Sequence, residues 1–452
     1  MLKLYDLSGN EKYLNLAGYF INTRGTNHFF EEEFEKRDHV SFWEKARTPE
    51  PNRYYNQYPY NYYNQFQSPV RLQKKAVGHA VRAVYMYTAM ADLAGKTGDK
   101  ELFAACRTIW DNIVKKQMYI TGGIGATNSG EAFTNDYDLP NDTNYSETCA
   151  SIGLIFFAQR MLMSETDSVY GDVIEQALYN TVLGGMNYEG NRFFYVNPLE
   201  SVPEVCRDNT QRHHVKPERQ KWFACCPPNI ARLIGGLWDY IYTASEDRVN
   251  VHLYIAGDGK IQVGESILNI TQNTSYPENG KINFTVQSDS DREIGLAEHY
   301  TLRLDGKEIT SDQVENGYAL ISRCWKKAAY IELEFDMQPR FICANRRIHY
   351  DLGRAAIMRG PLVYCLEEAD NGKYLAELTV DTDAGLTEEK KSELGGYVAL
   401  KARGSRTQVP DTDKLYTTYC ASREITELVA VPYYLWNNRG TGEMQVWIKT
   451  GL

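Results

Sequence analysis

The hydrophobic rhythm of this chain changes once, near Tyr242, and that change limits the architectures open to it. Up to about residue 244, apolar residues recur at helical spacing, as with Leu14, Ala17, Gly18 and Ile21. Beyond it they alternate, as in Val249-Asn-Val-His-Leu-Tyr-Ile255, Ser266-Ile-Leu-Asn-Ile-Thr-Gln272, Lys281-Ile-Asn-Phe-Thr-Val-Gln287, Tyr300-Thr-Leu-Arg-Leu304 and Tyr330-Ile-Glu-Leu-Glu-Phe335. Alternation over short runs marks half-buried strands. A helical part therefore precedes a sheet part, and the chain is a multidomain α and β protein.

The helical part reads as repeated antiparallel hairpins. One helix closes at Leu4-Tyr-Asp-Leu-Ser-Gly and the next begins at Glu11; Met90-Ala-Asp-Leu-Ala-Gly95 turns through Lys-Thr-Gly-Asp into a helix over Glu101 to Lys116. A third pair joins Ile152–Met163 to Tyr170–Leu183, with Gly184-Gly185 as its stop. Such repetition suggests an α/α-toroid. The alternating segments, separated by Gly257-Asp-Gly and Asp305-Gly, predict a β-sandwich. Three regions follow: 1–244 helical, 245–345 sandwich, and 346–452 β-rich, the last a second sandwich or a return of the first. Within it lie Ala355 to Tyr364, a charged insertion around Thr387 to Glu393, and Glu443 to Ile448.

A formal charge of −10 argues against nucleic acid and anionic membranes, which favour basic partners, and suits a neutral substrate. The 33 tyrosines, against 16 phenylalanines and 7 tryptophans, lean towards carbohydrate, although such rings also serve as amphipathic packing. One run, Asn52 to Phe66, is rich enough in tyrosine to line a sugar cleft or to pack on itself. The amino terminus has no basic segment followed by an apolar run, and no uncharged apolar stretch approaches the roughly 18 residues that span a bilayer. The expected location is cytoplasmic. The nine cysteines then read as reduced thiols.

Between Gly130 and Asn229 lie Glu131, Glu147, Cys149, Cys206 and the adjacent pair Cys225-Cys226. Three thiols and a carboxylate, Glu147, Cys149, Cys225 and Cys226, are a chemically sensible Zn²⁺ shell. They suit packing as well, because free cysteine is commonly a buried small hydrophobe and this spacing matches no common zinc-finger pattern. Cys206 reads as a packing residue, and His213-His214, in a polar run, as surface.

Ser146-Glu-Thr-Cys-Ala-Ser151, Ile174 to Gly185, Phe193-Phe-Tyr-Val-Asn-Pro-Leu-Glu200 and Cys225-Cys-Pro-Pro-Asn-Ile-Ala-Arg232 resemble successive signature blocks of glycoside hydrolase family 127, the β-L-arabinofuranosidases. Pro69-Val-Arg71 and Val77-Gly-His-Ala-Val-Arg82 resemble blocks further upstream. The resemblance implies a partial (α/α)6 barrel, lacking its N-terminal part, followed by β-sandwich. It implies a retaining glycosidase that releases L-arabinose from terminal β-L-arabinofuranosides, another furanoside or a pectic sugar being the related alternative. A non-catalytic, zinc-containing glycan-binding protein is the competing class. By matched motif, Cys225 would be the nucleophile and Glu131 the acid/base. Glu147, Cys149, Cys225 and Cys226 would hold Zn²⁺, and His79, Glu175 and Tyr195 would contact the sugar. The likeness extends to a homodimer.

Overall fold

A computed structural model of the chain describes residues 1–26, 32, 35–36, 60–206, 218–222, 224–290, 293–298, 302–304, 307–309 and 314–451. His213-His214 and most of the tyrosine-rich run, Asn52 to Pro59, lie outside the described residues.

The hairpins form where the apolar spacing places them. Helices α1 (Leu2–Ser8) and α2 (Glu11–Thr23) make the first pair, and α3 (Ala80–Thr97) and α4 (Lys100–Lys116) the second. Helix α5 (Thr148–Ser164) leads into α6 (Ser168–Ala177), and α7 (Cys226–Gly235) closes the helical part. The first helix of the second hairpin runs two residues past Gly95, to Thr97: Gly98, at φ 67°, takes the left-handed cap, and the Asp99 carboxylate accepts the Leu102 N–H at 2.9 Å. One buried cluster joins Tyr87 and Met90 of α3, Ile109 and Trp110 of α4, Phe157 and Met161 of α5, and Ile174 of α6. Each such side chain contributes about 1.5–3 kcal/mol of burial.

The predicted single helix from Tyr170 to Leu183 is broken. After Ala177 the chain widens into a π turn over Leu178–Val182. There Asn180 donates to the carbonyls of Gln176 at 2.8 Å and Pro361 at 2.9 Å, and its oxygen accepts the Val363 N–H at 2.8 Å. A polar anchor to a distant sheet has replaced regular helix at that point.

Strands begin at Tyr242–Ala244, where the periodicity changes. A five-stranded sheet (Tyr242–Ala244, Arg248–Val251, Glu293–Glu298, Val314–Glu315 and Tyr318–Cys324) and a six-stranded sheet share one apolar cluster, Val249, Val251 and Leu296 meeting Leu268, Phe284 and Ile331. Gly257-Asp-Gly lies inside a strand of the second sheet, Gly257–Val263, rather than in a turn. The reversal comes at Gly264, φ 56°, where Val263 pairs with Ser266.

The remaining strands form a sheet of their own, which also takes in Glu200–Ser201. Its ladder returns on itself, because Arg354–Arg359 pairs with both Leu362–Glu367 and Ile448–Thr450. The run Ala355 to Tyr364 is therefore a hairpin, bent where Gly360 adopts φ 54° ahead of Pro361. The charged insertion is a strand, Thr387–Lys391, paired along Tyr397–Gln408. The whole is a mixed α and β protein, helical first and sheet-rich beyond residue 242.

Candidate active site

Three helices bring their amino ends to one cleft. His79 is the N-cap of α3, Glu147 of α5 and Cys225 of α7, and all three line a cavity of about 600 Å³. Pro227-Pro228 sets the start of α7, where a missing N–H costs nothing. Unpaired N–H groups and the helix dipole make such ends favourable for negative charge. An anionic centre is the natural occupant of this cleft.

Cys149 sits in the first turn of α5 and Cys226 in the first turn of α7, so the two helix starts carry the whole Glu147, Cys149, Cys225, Cys226 group. The Cys149 and Cys226 sulfurs are 3.6 Å apart, Cys225 and Cys226 3.8 Å, and Cys225 Sγ lies 3.7 Å from Glu147 Oε1. All four donor atoms fall within 4.8 Å of one another. Ligands on a tetrahedral ion with bonds near 2.3 Å stand about 3.8 Å apart, so the group fits a metal ion as it is built. Glu147 Oε2, buried, has no hydrogen-bond partner among the described residues. A buried carboxylate oxygen left bare costs free energy unless something binds it, which is what a cation does.

Contacts from Cys149 and then Cys226, joined by Tyr195 and Glu147, hold the Cys225 thiol far below its usual range against the opposing effect of burial. The Cys149 thiol is pushed up first by its contact with Cys225, and that of Cys226 first by its contact with Cys149. Burial, with the charges of Glu131 and Cys225, pushes the Glu147 carboxyl up. Cys225 is half-buried and opens to the cleft, whereas Cys226 is fully enclosed.

Glu131 faces this sulfur from a turn in which Gly130 has φ 72° and Glu131 itself φ 52°. A non-glycine residue held in the left-handed region stores strain, and such residues gather at functional sites. Two hydrogen bonds fix its carboxylate: Tyr145 Oη donates to Oε1 at 2.9 Å, and His79 Nε2 lies 3.0 Å from Oε2. Burial raises the Glu131 carboxyl, but the His79 and Tyr145 contacts outweigh it and leave the group below its usual range. Tyr195 is brought alongside by the pairing of Val196 with Glu147 and meets Tyr145 edge-on at 5.9 Å.

Seven of the eight residues expected at the site therefore converge: His79, Glu131, Glu147, Cys149, Tyr195, Cys225 and, beneath them, Cys226. Glu175 is separate. On α6 it turns toward the sheets and lines a different cavity, of about 1280 Å³, beside Tyr276. Its spacing on the helix gave no sign of which flank it would face. Cys206 is buried against Tyr145 and Val196, a packing residue as expected. Tyr145 and a second wall of Tyr85, Asn229 and Arg232 were not anticipated. A signal existed for the wall, since Asn229 and Arg232 are three apart and so share a face of α7.

Similar proteins have the same organisation. The family model for the beta-L-arabinofuranosidase GH127 catalytic domain matches residues 1–238, that for the GH127 middle domain residues 248–337, and that for the family 127 C-terminal domain residues 339–449. A non-reducing end beta-L-arabinofuranosidase from Bifidobacterium longum subsp. longum is 37% identical over 470 aligned positions, covering 99% of this chain and 69% of the relative. Among solved structures, a GH127 beta-L-arabinofuranosidase from Geobacillus stearothermophilus T6 superposes with a TM-score of 0.92 at 43% identity, over all of this chain and 71% of that one. A second GH127 beta-arabinofuranosidase matches with a TM-score of 0.84 at 34% identity, over all of this chain and 67% of its own. With matches along nearly its whole length, this chain belongs to glycoside hydrolase family 127 and is a glycosidase.

Proposed function

We propose that the chain is a retaining glycosidase releasing L-arabinose from non-reducing terminal β-L-arabinofuranosides, with Cys225 as nucleophile and Glu131 as acid/base. The observation that carries this reading is the opening of the half-buried Cys225 sulfur into the cleft that also holds the strained, doubly hydrogen-bonded Glu131. In the first step the Cys225 thiolate forms a bond to the anomeric carbon as the glycosidic C–O bond breaks, and the Glu131 carboxyl gives its proton to the departing oxygen. In the second, Glu131 takes a proton from water, the resulting C–O bond displaces Cys225, and the thiolate returns. Two inversions give retention. His79 and Tyr145 orient the Glu131 carboxyl through both steps, and Tyr195 stands beside the sulfur.

Zn²⁺ is the metal we assign to Glu147, Cys149, Cys225 and Cys226, on the donor set and its tetrahedral spacing. When bound it supplies positive charge that keeps the sulfurs deprotonated at neutral pH. In this reading the helical region, 1–244, is part of an (α/α)6 barrel, residues 245–345 a β-sandwich, and 346–452 a further β domain. The shared core of the two middle sheets supports the sandwich. No helix of the described residues is long and apolar enough to cross a membrane. Free thiols at Cys324, Cys343 and Cys420, all exposed, suit a reducing compartment, and we take the cytoplasm as the location. Self-association as a homodimer belongs to the reading on family likeness alone.

Release of sugar from an aryl β-L-arabinofuranoside by the purified chain, lost in Cys225→Ser and Glu131→Gln, is the test. No turnover by soluble, metal-loaded protein would favour the competing role, a zinc-containing glycan-binding protein.

A further inference from the structure

We propose that Tyr85 is a substrate-contacting residue whose hydroxyl proton is held out to a ring hydroxyl of the furanoside bound at Cys225. The proposal rests on the furanosidase reading of this cleft.

The argument is one of donors and acceptors. Tyr85 Oη receives hydrogen bonds from Asn229 Nδ2 at 3.0 Å and Arg232 Nη2 at 3.1 Å. An amide NH₂ and a guanidinium carry hydrogens and no acceptor lone pair, so neither can take the phenolic proton. Two donated bonds also use the acceptor capacity of the oxygen. Its one remaining function is to donate, and among the described residues no acceptor lies within reach of it. Burial raises the hydroxyl's pKa, so the proton is present at neutral pH.

The hydroxyl is also aimed. Helix α3, which carries Tyr85, lies so close to α5 that a Cβ on Gly153 would stand 2.4 Å from Val84 Cγ2 and 3.0 Å from the Tyr85 ring. Arg232 is itself stacked, 4.5 Å over the Phe156 ring, which lies tilted beside Tyr85. Asn229 and Arg232 stand on the first turns of the helix capped by Cys225. The donor is therefore tied to the same element as the nucleophile, in the same cleft. A bond from a guanidinium polarises the O–H and strengthens it as a donor. A furanose seated with its anomeric carbon at Cys225 offers hydroxyl oxygens as acceptors, whereas an apolar ligand would leave the proton unmatched.

The test compares the full chain with Tyr85→Phe and Cys225→Ser on an aryl β-L-arabinofuranoside and its 2-, 3- and 5-deoxy analogues. Tyr85→Phe is expected to lower kcat/KM on the parent substrate about tenfold, chiefly through KM, the size of one hydrogen bond to substrate. On one deoxy analogue, the one lacking the acceptor, wild type and Tyr85→Phe should become equal. Equal losses on every substrate would mean that Tyr85 only props Asn229 and Arg232, and would overturn the proposal, as would an unchanged kcat/KM. Absence of turnover by wild type and Cys225→Ser alike would instead remove the furanosidase reading, and this proposal with it.

Discussion

The sulfurs of Cys149 and Cys226 stand 3.6 Å apart although the residues are 77 positions apart in the chain, each at the first turn of its own helix. Neither is in a disulfide. Metal analysis of the purified chain should find about one zinc per molecule, and Cys149→Ser and Cys226→Ser should each lower that content and the melting temperature together, since binding free energy at such a site is folding free energy. Removal of metal by a strong chelator should lower the melting temperature of the wild type as well. Metal-free protein with an unaltered melt would contradict the assignment.

Tyr145 and His79 hold the Glu131 carboxyl below its usual range. In the proposed mechanism Glu131 is the proton donor of the first step, so its ionisation should govern the fall of kcat/KM at high pH. Tyr145→Phe removes one donated bond, raises the Glu131 pKa and should move that falling limb to higher pH, with a loss of about tenfold at the optimum for one misplaced hydrogen bond. Glu131→Gln should cost about 10²–10⁴-fold. A pH profile for Tyr145→Phe that does not move would show that the tyrosine does not tune Glu131.

Glu175 makes a stability prediction rather than a catalytic one. Burial pushes its carboxyl from 4.5 to about 8, against a hydrogen bond from Tyr276. The folded chain keeps a proton that the unfolded chain releases near the ordinary value. Its stabilising contribution is therefore present below pH 4.5 and is lost as pH rises from there towards about 8. Glu175→Gln should flatten the decline of the melting temperature across that interval while leaving kcat within about twofold, because the group lies outside the catalytic cleft.

Gly153 reports on the packing that brings α3 to the cleft. A side chain there would meet Val84 Cγ2 at 2.4 Å. Gly153→Val should destabilise the chain by about 1–3 kcal/mol through overpacking and lower the melting temperature by several degrees. Gly98→Ala, at the left-handed cap with open space around it, should cost less, about 1 kcal/mol.

The sequence made the helix-to-sheet change at Tyr242 legible because periodicity follows directly from which face is buried. The quartet was legible as chemistry but not as geometry: nothing local to Cys149 or Cys226 states that their helices begin side by side. The setting of Glu175 was not legible, because its position on α6 does not reveal that this flank faces the sheets and Tyr276. The π turn after Ala177 depends on Asn180 reaching Pro361 and Val363, partners more than a hundred residues away that no local pattern encodes. Gly257-Asp-Gly suggested a turn by composition, yet pairing with Thr271 and its neighbours draws it into a strand. Tertiary partners decided each of these cases.

The central claim, that sulfur rather than carboxylate attacks the sugar, is tested most directly by mass spectrometry of the enzyme quenched during turnover of a furanoside with a good leaving group. We expect one anhydropentose added to the chain and, after proteolysis, located on Cys225. The same adduct on Glu131 or Glu147, or full turnover by Cys225→Ala, would contradict the account.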